Sequence, residues 1–305
     1  LSQTGRFSES LVPNQKSVQL APQDAEAHYN LGDTLKELGR LNEAEASCRQ
    51  AITLKPAFAE AHNNLGNTLK ELGRLDEAEA SYTQAIAVKP DFAEARNNLG
   101  VTLQELGRSE EAEASYTQAI AVKPDYAEAR SNLGVTLQEL GRLEEAEASY
   151  TQAIAVKPDY AEAHNNLGNT FKELGRLEEA EASYTQAIAL KSDYADAYNN
   201  LGNTFKELGR LDEAEASCRQ AITLKPAFAE AHNNLGNTLK ELGRLDEAEA
   251  SYTQTIALKS DFAKAHFNLG VMLQELGRPE EAEASLRQAI ALKPDYAEAH
   301  YNLGL

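Results

Sequence analysis

The sequence predicts an all-α solenoid, a row of stacked helix pairs without a single central core. Three observations carry that prediction. Gly32, Gly66, Gly100, Gly134, Gly168, Gly202, Gly236, Gly270 and Gly304 recur every 34 residues without one insertion, and a period of this size marks units that stack only on their neighbours. Within each unit, two successive stretches carry apolar residues at helical spacing. Gly and then Pro punctuate those stretches at fixed places.

Each unit is numbered here from its first alanine, so that Ala25, Ala59 and Ala93 are place 1. Residues 1–24 read as a degenerate half-repeat. Gly5-Arg6 and Pro22 keep register with Gly39-Arg40 and Pro56, while Ser10, Pro13, Asn14 and Ser17 replace the small apolar pattern. Pro13 is expected to break or kink its helix. The stretch is either a polar cap of the kind solenoids need or a frayed edge. Eight full repeats follow over residues 25–296. In the third, the first helix is expected to open at Asp91, with Glu94 completing a capping box. Ala95, Leu99, Leu103 and Leu106 form its apolar face, and Gly107 suits a left-handed end. The second helix begins near Ser109, takes Glu110 and Glu111 into its first turn, buries Ala112, Tyr116, Ala119 and Ile120, and stops at Pro124. Pro279 of the eighth repeat falls in a first turn, where its missing N–H is harmless. Gly at place 8 costs about 1 kcal/mol against Ala within a helix, so its presence in every unit implies close packing. Residues 297–305 start a ninth unit. The chain begins at place 11 without an initial Met, which suggests a fragment of a longer protein.

The period and its contents resemble the tetratricopeptide repeat. In the unit from Ala59, the residues that carry the resemblance are Leu65-Gly66, Ala78, Tyr82, Ala85 and Pro90. The family's bulky residue at place 4 is represented by His62, and His, Arg or Tyr stands there in every repeat. The resemblance covers nearly the whole chain and implies a right-handed superhelical solenoid of helix-turn-helix repeats. It also implies that places 2, 5, 6, 9, 12 and 13 of the first helices line a concave groove.

Composition narrows the function. The net charge of −19 argues against nucleic acid and anionic membrane as partners. Acidic runs such as Glu144-Glu145 fall where they complement helix dipoles. No apolar run is long enough to span a membrane and no signal peptide is visible. Cys48 and Cys218 both occupy place 24, where most repeats have Tyr. Five repeats separate them, with neighbouring helices about 8–10 Å apart, far beyond disulfide reach. They read as packing residues, and an intracellular, cytoplasmic location is expected. All six histidines occupy place 4, one per repeat, which cannot assemble a metal site. No nucleophile-and-base arrangement or phosphate loop appears. No catalytic residue, metal or cofactor is therefore assigned, and the chain is not expected to be an enzyme.

The candidate site is a ladder. Place 6 is Asn in every unit: Asn30, Asn64, Asn98, Asn132, Asn166, Asn200, Asn234, Asn268 and Asn302. Asn is a poor mid-helix residue, so its recurrence needs a reason. Its amide can pair with both the C=O and the N–H of a peptide backbone. With repeats advancing about 10 Å and extended chain about 3.3 Å per residue, one Asn meets about every third ligand residue. The alternative is that Asn ties neighbouring repeats together or is inherited by duplication. The ladder resembles that of the O-linked N-acetylglucosamine transferase repeat array, which implies a grip on extended polypeptide.

Places 9 and 12 sort the repeats into two kinds. Asn67, Asn169, Asn203 and Asn237 accompany Lys70, Lys172, Lys206 and Lys240, whereas Val101, Val135 and Val271 accompany Gln104, Gln138 and Gln274. Val101 and Val135 are expected to make a neutral patch that selects ligand side chains. Copying of two parent repeats in blocks explains the alternation equally well, and residues 43–84 are identical to residues 213–254. A two-carboxylate clamp of the chaperone-tail-binding relatives is rejected. Asn203, Asn234 and Lys264 approach its pattern, but Asn199 and Asn268 stand where cations are needed. The expected function is a scaffold binding extended peptide or a partner protein in the groove. The alternatives are the substrate-recruiting arm of a glycosyltransferase and a scaffold that self-associates end to end, near Tyr29, Phe267 and Tyr301.

Overall fold

The computed structural model describes residues 3–304. Helices account for the regular structure of these residues, and no strand occurs among them. The helices fall into two compact units, 3–158 and 159–304. The first contains α1 (Gln3–Leu20), α2 (Ala25–Glu37), α3 (Leu41–Leu54), α4 (Ala59–Glu71), α5 (Leu75–Val88), α6 (Ala93–Glu105), α7 (Ser109–Val122), α8 (Ala127–Glu139) and α9 (Leu143–Val156). The second contains α10 (Ala161–Glu173), α11 (Leu177–Leu190), α12 (Ala195–Glu207), α13 (Leu211–Leu224), α14 (Ala229–Glu241), α15 (Leu245–Leu258), α16 (Ala263–Glu275), α17 (Pro279–Leu292) and α18 (Ala297–Leu303). In each unit every helix packs on its chain neighbours, and the first helices of successive repeats also touch: α4 meets α2 and α6, and α14 meets α12 and α16.

The local grammar repeats faithfully. Each first helix of the eight full repeats ends in a Schellman turn: in α6, Arg108 N–H donates to the Leu103 carbonyl and Gly107 N–H to that of Gln104. Gly107 has φ of 75°, a conformation that a Cβ disfavours. Place 8 is glycine for a different reason. A Cβ on Gly66 would stand 2.5 Å from Cε1 of Tyr82. Tyr82, Tyr116, Tyr150, Tyr184 and Tyr252 are among the largest fully buried side chains, each seated over a place-8 glycine. Cys48 and Cys218 fill the same seat over Gly32 and Gly202. Both are unpaired thiols, and burial pushes each up to about 12, which makes them inert packing groups.

Two expectations about helix ends need correction. The first helix of repeat three begins at Ala93, not Asp91, and Phe92 is its N-cap without a side-chain hydrogen bond. Phe58, Phe92 and Phe228 at this place are buried. Burying an aromatic ring contributes about 1.5–3 kcal/mol, against about 1 kcal/mol for a cap, so the ring takes the N-cap position. Where Asp24 stands there instead, its carboxylate does cap, accepting from Glu26 N–H at 3.0 Å. The second correction concerns Pro13, which does not break α1. Both Pro13 and Glu9, whose carbonyl loses its helical partner, are exposed, so water can satisfy that carbonyl. The helix also runs through Gly5-Arg6, where the register predicts a turn. Asn14 fastens α1 to α2 by donating to Thr34 Oγ1 at 2.8 Å and to the Asn30 carbonyl at 3.3 Å.

Candidate functional site

The ladder asparagines sit on the first helices, mostly half-buried, with Asn64 buried and Asn30 exposed. The amides of Asn64, Asn98, Asn132, Asn200, Asn234 and Asn268 donate backwards to the preceding repeat, whereas Asn166 Oδ1 accepts from its neighbour Asn165 Nδ2 at 3.4 Å. Asn98 Nδ2 reaches Asn63 Oδ1 and Asn67 Oδ1, each at 3.1 Å. Asn200 does the same with Asn165 and Asn169, and Asn268 with Asn233 and Asn237. Asn64 donates to Asp33 at 3.1 Å, Asn132 to Asn97 at 3.0 Å, and Asn234 to Asn199 at 2.9 Å. The donors of this ladder therefore tie repeats together. In Asn98, Asn200 and Asn268 both N–H groups are spent this way, while Oδ1 accepts no hydrogen bond among the described residues. At the ends the pattern lapses: Asn302 donates to the Glu298 carbonyl of its own helix.

Place 5 supplies the acceptors, so it is not the open groove position that the family pattern implies. Asn63, Asn97, Ser131, Asn165, Asn199 and Asn233 are all buried. A buried amide without partners costs about 1–3 kcal/mol, and the donor from the next repeat meets that need.

The alternation at places 9 and 12 has a structural counterpart in the tyrosine beneath it. Tyr82 OH donates to Asn67 Oδ1 at 2.8 Å, Tyr184 to Asn169 at 2.7 Å and Tyr252 to Asn237 at 2.9 Å. Where place 9 is Val, the hydroxyl turns to place 12: Tyr116 donates to Gln104 Oε1 at 3.2 Å and Tyr150 to Gln138 at 3.4 Å. Either pairing satisfies one buried hydroxyl. Val101 packs on the Tyr116 cluster. In repeat six, Cys218 removes the hydroxyl, and Asn203 turns to Glu207 at 3.3 Å.

The groove lysines are held by the next repeat's place-13 glutamate: Lys70 to Glu105 at 3.7 Å, Lys172 to Glu207 at 3.2 Å, Lys206 to Glu241 at 3.5 Å and Lys240 to Glu275 at 2.8 Å. A second ionic series links the second helices. Arg108 spans Glu111 of its own helix start and Glu79 of the preceding repeat at 2.6–2.7 Å, and Arg142 repeats this with Glu145 and Glu113. The Arg108 guanidinium holds the Glu111 carboxyl below its ordinary range. Place 4 latches the turn before it: Nε2 of His62 lies 2.9 Å from the Pro56 carbonyl, and Arg96 donates to that of Pro90 at 2.8 Å. This one contact explains why His and Arg interchange there. Among the described residues no cluster of three His, Cys, Asp or Glu could hold a metal ion, and no helix is long and apolar enough to cross a membrane.

These features define a class: an α-solenoid of 34-residue helix pairs whose repeats are cross-tied by side-chain amides and ion pairs. Residues 56–268 match the family described as the Cilia and flagella-associated protein 70 C-terminal domain, itself a tetratricopeptide-repeat model. Tetratricopeptide-repeat models also match residues 32–73 and 272–305, and 14–46. The chain belongs to the tetratricopeptide-repeat family. Comparison with curated proteins gives no match. Among solved structures, the APC/C hetero-tetramer Cut9–Hcn1 is similar at 18% identity and a TM-score of 0.67 over 95% of this chain. The match spans 57% of that chain's length. A tetratricopeptide-repeat protein from Parabacteroides merdae is similar at 20% identity and a TM-score of 0.64, over 81% of this chain and 97% of that one. YrrB, described as a TPR protein with an unusual peptide-binding site, has 26% identity and a TM-score of 0.50, over 62% of this chain and 98% of that one.

Proposed function

We propose that this chain is a protein-interaction scaffold whose first helices bind extended peptide, and that the asparagine ladder accepts hydrogen bonds from the ligand backbone. The observation that carries the reading is the division of labour within each amide. The N–H groups of Asn98, Asn200 and Asn268 are consumed between repeats, which fixes the side chains and leaves each Oδ1 as a positioned acceptor. Inter-repeat tying and ligand binding, alternatives in the sequence, are compatible in the structure. Fixed acceptors lose little conformational entropy on binding. Each contact contributes about 0.5–1.5 kcal/mol net, so useful affinity needs several repeats at once. The description of YrrB as having a peptide-binding site supports this reading. In the first unit Lys70 would flank a ligand, with Val101 and Val135 beside a less charged stretch; in the second unit Lys172, Lys206 and Lys240 would do so.

The test is a peptide-array screen of the wild type beside a variant with Asn132 and Asn234 changed to Ala. These two asparagines donate one inter-repeat bond each, so the helical circular-dichroism signal should survive. Weaker binding of extended peptides by the variant supports the ladder. Undiminished binding moves the site elsewhere on the repeats.

A further inference from the structure

The first helix of repeat eight, α16, departs from its counterparts at several places that converge on one spot. Place 2 is acidic in every other repeat, as in Asp196 and Glu230, but is Lys264 here. Place 5 is Asn in the two preceding repeats, Asn199 and Asn233, but is Phe267 here, and place 9 is Val271. A cavity of about 420 Å³ lies against these residues, bounded also by Lys206, Asn237, Lys240 and one carboxylate, Glu241.

Each substitution changes what the spot can bind. In other repeats the place-31 lysine closes on the place-2 carboxylate: Lys191 on Glu162 at 3.0 Å, Lys259 on Glu230 at 3.5 Å. In repeat eight the corresponding residues, Lys293 and Lys264, are both cations. Lys264 is exposed and has no ion-pair partner among the described residues. Lys206 and Lys240 at the rim are matched by Glu241 and Glu275, so Lys264 is the excess positive charge, in a chain of net −19. Phe267 is half-buried, with its ring centroid 4.9 Å from that of Tyr296. It cannot accept from Asn302, so the amide ladder of this unit stops at Asn268 and an apolar surface takes over.

We infer that this cavity is a specificity site for an acidic residue next to an apolar one in an extended peptide. The apolar side chain rests on Phe267 and Val271. The carboxylate meets Lys264, supplying the partner that the repeat itself no longer provides. The inference rests on the groove reading above and adds to it a ligand chemistry and a location.

The test uses the whole chain and fluorescence anisotropy with three labelled nonapeptides of Ala, Ser and Thr that differ at the centre: Phe-Glu, Phe-Gln and Ala-Gln. The variants are Lys264→Glu and Phe267→Asn, each restoring a residue that neighbouring repeats carry and tolerate. The Phe-Glu peptide should bind wild type roughly two- to fivefold more tightly than Phe-Gln, the size expected of an exposed ion contact. Lys264→Glu should abolish that preference, and Phe267→Asn should abolish the preference for Phe-Gln over Ala-Gln. If wild type binds all three equally, or if the acidic preference survives Lys264→Glu, the inference fails and the groove reading stands. If none of the peptides binds, both fail.

Discussion

Replacing Gly100 with Ala separates a packing account of the repeat from a historical one. On propensity alone the change stabilises, because Ala in a helix interior is better than Gly by about 1 kcal/mol. The structure opposes it. A Cβ on Gly100 would stand 2.6 Å from Cε1 of Tyr116 and 2.8 Å from both Cδ1 and Cζ. The ring has little room to yield, since Tyr116 is fully buried and its hydroxyl is held by Gln104. Overpacking of this kind costs about 1–3 kcal/mol and sometimes more, which outweighs the gain from propensity. With three ring atoms inside 3 Å the cost falls at the upper end, about 2–3 kcal/mol, and less the about 1 kcal/mol of propensity it leaves a net destabilisation of about 1–2 kcal/mol, read as a lower urea midpoint by circular dichroism and as faster amide exchange in α6 and α7. A Gly100→Ala protein as stable as wild type, or more so, refutes the packing explanation of the place-8 glycines.

Tyr184→Phe removes the donor to Asn169 and should cost about 0.5–1.5 kcal/mol, measured as a urea-midpoint shift; no shift would show the bond to be dispensable. Arg108→Gln should lower stability at neutral pH in a way that depends on acidity. Glu111 is held below its ordinary range by Arg108, so its contribution is present above the unfolded value of about 4.3 and fades as pH falls through the lower folded value. The midpoint difference between wild type and variant should therefore shrink below about pH 4, and a difference constant from neutral to acid contradicts the ion pair's role. Changing Val101 and Val135 to Asn should reorder the peptides retained on an array, and an unchanged ranking removes side-chain sorting by that stretch.

The helix pairs and their buried faces were legible because one message is repeated: a place-8 Gly, a Gly–Arg turn and a Lys-Pro or, at Ser192 and Ser260, Lys-Ser stop recur with a fixed period. The helix starts were not. Asp91 and Glu94 satisfy a local capping rule, but burial of Phe92 at the next position is worth more than the cap, and propensity rules do not weigh tertiary burial. The ladder was visible as a recurrence of Asn at place 6, yet its donors could not be assigned without knowing that place 5 of the preceding repeat is buried beside it. The Tyr–Asn and Tyr–Gln pairings were within reach of the sequence, since all three Asn/Lys repeats with Tyr at place 24 differ from the Val/Gln ones at both partner positions together. The Arg108 bridge from Glu79 to Glu111 was hidden by the distance in sequence between its ends, although Arg and both Glu recur at fixed places.

The central claim is that the ladder accepts hydrogen bonds from the N–H groups of an extended ligand. It is tested most directly by titrating the intact chain with a peptide that binds it, and with the same peptide N-methylated in turn at each residue. The account predicts that methylation weakens binding at about every third position, the interval set by one asparagine per repeat, and leaves the residues between nearly unaffected. Binding that is indifferent to methylation at every position, with the side chains unchanged, would contradict it.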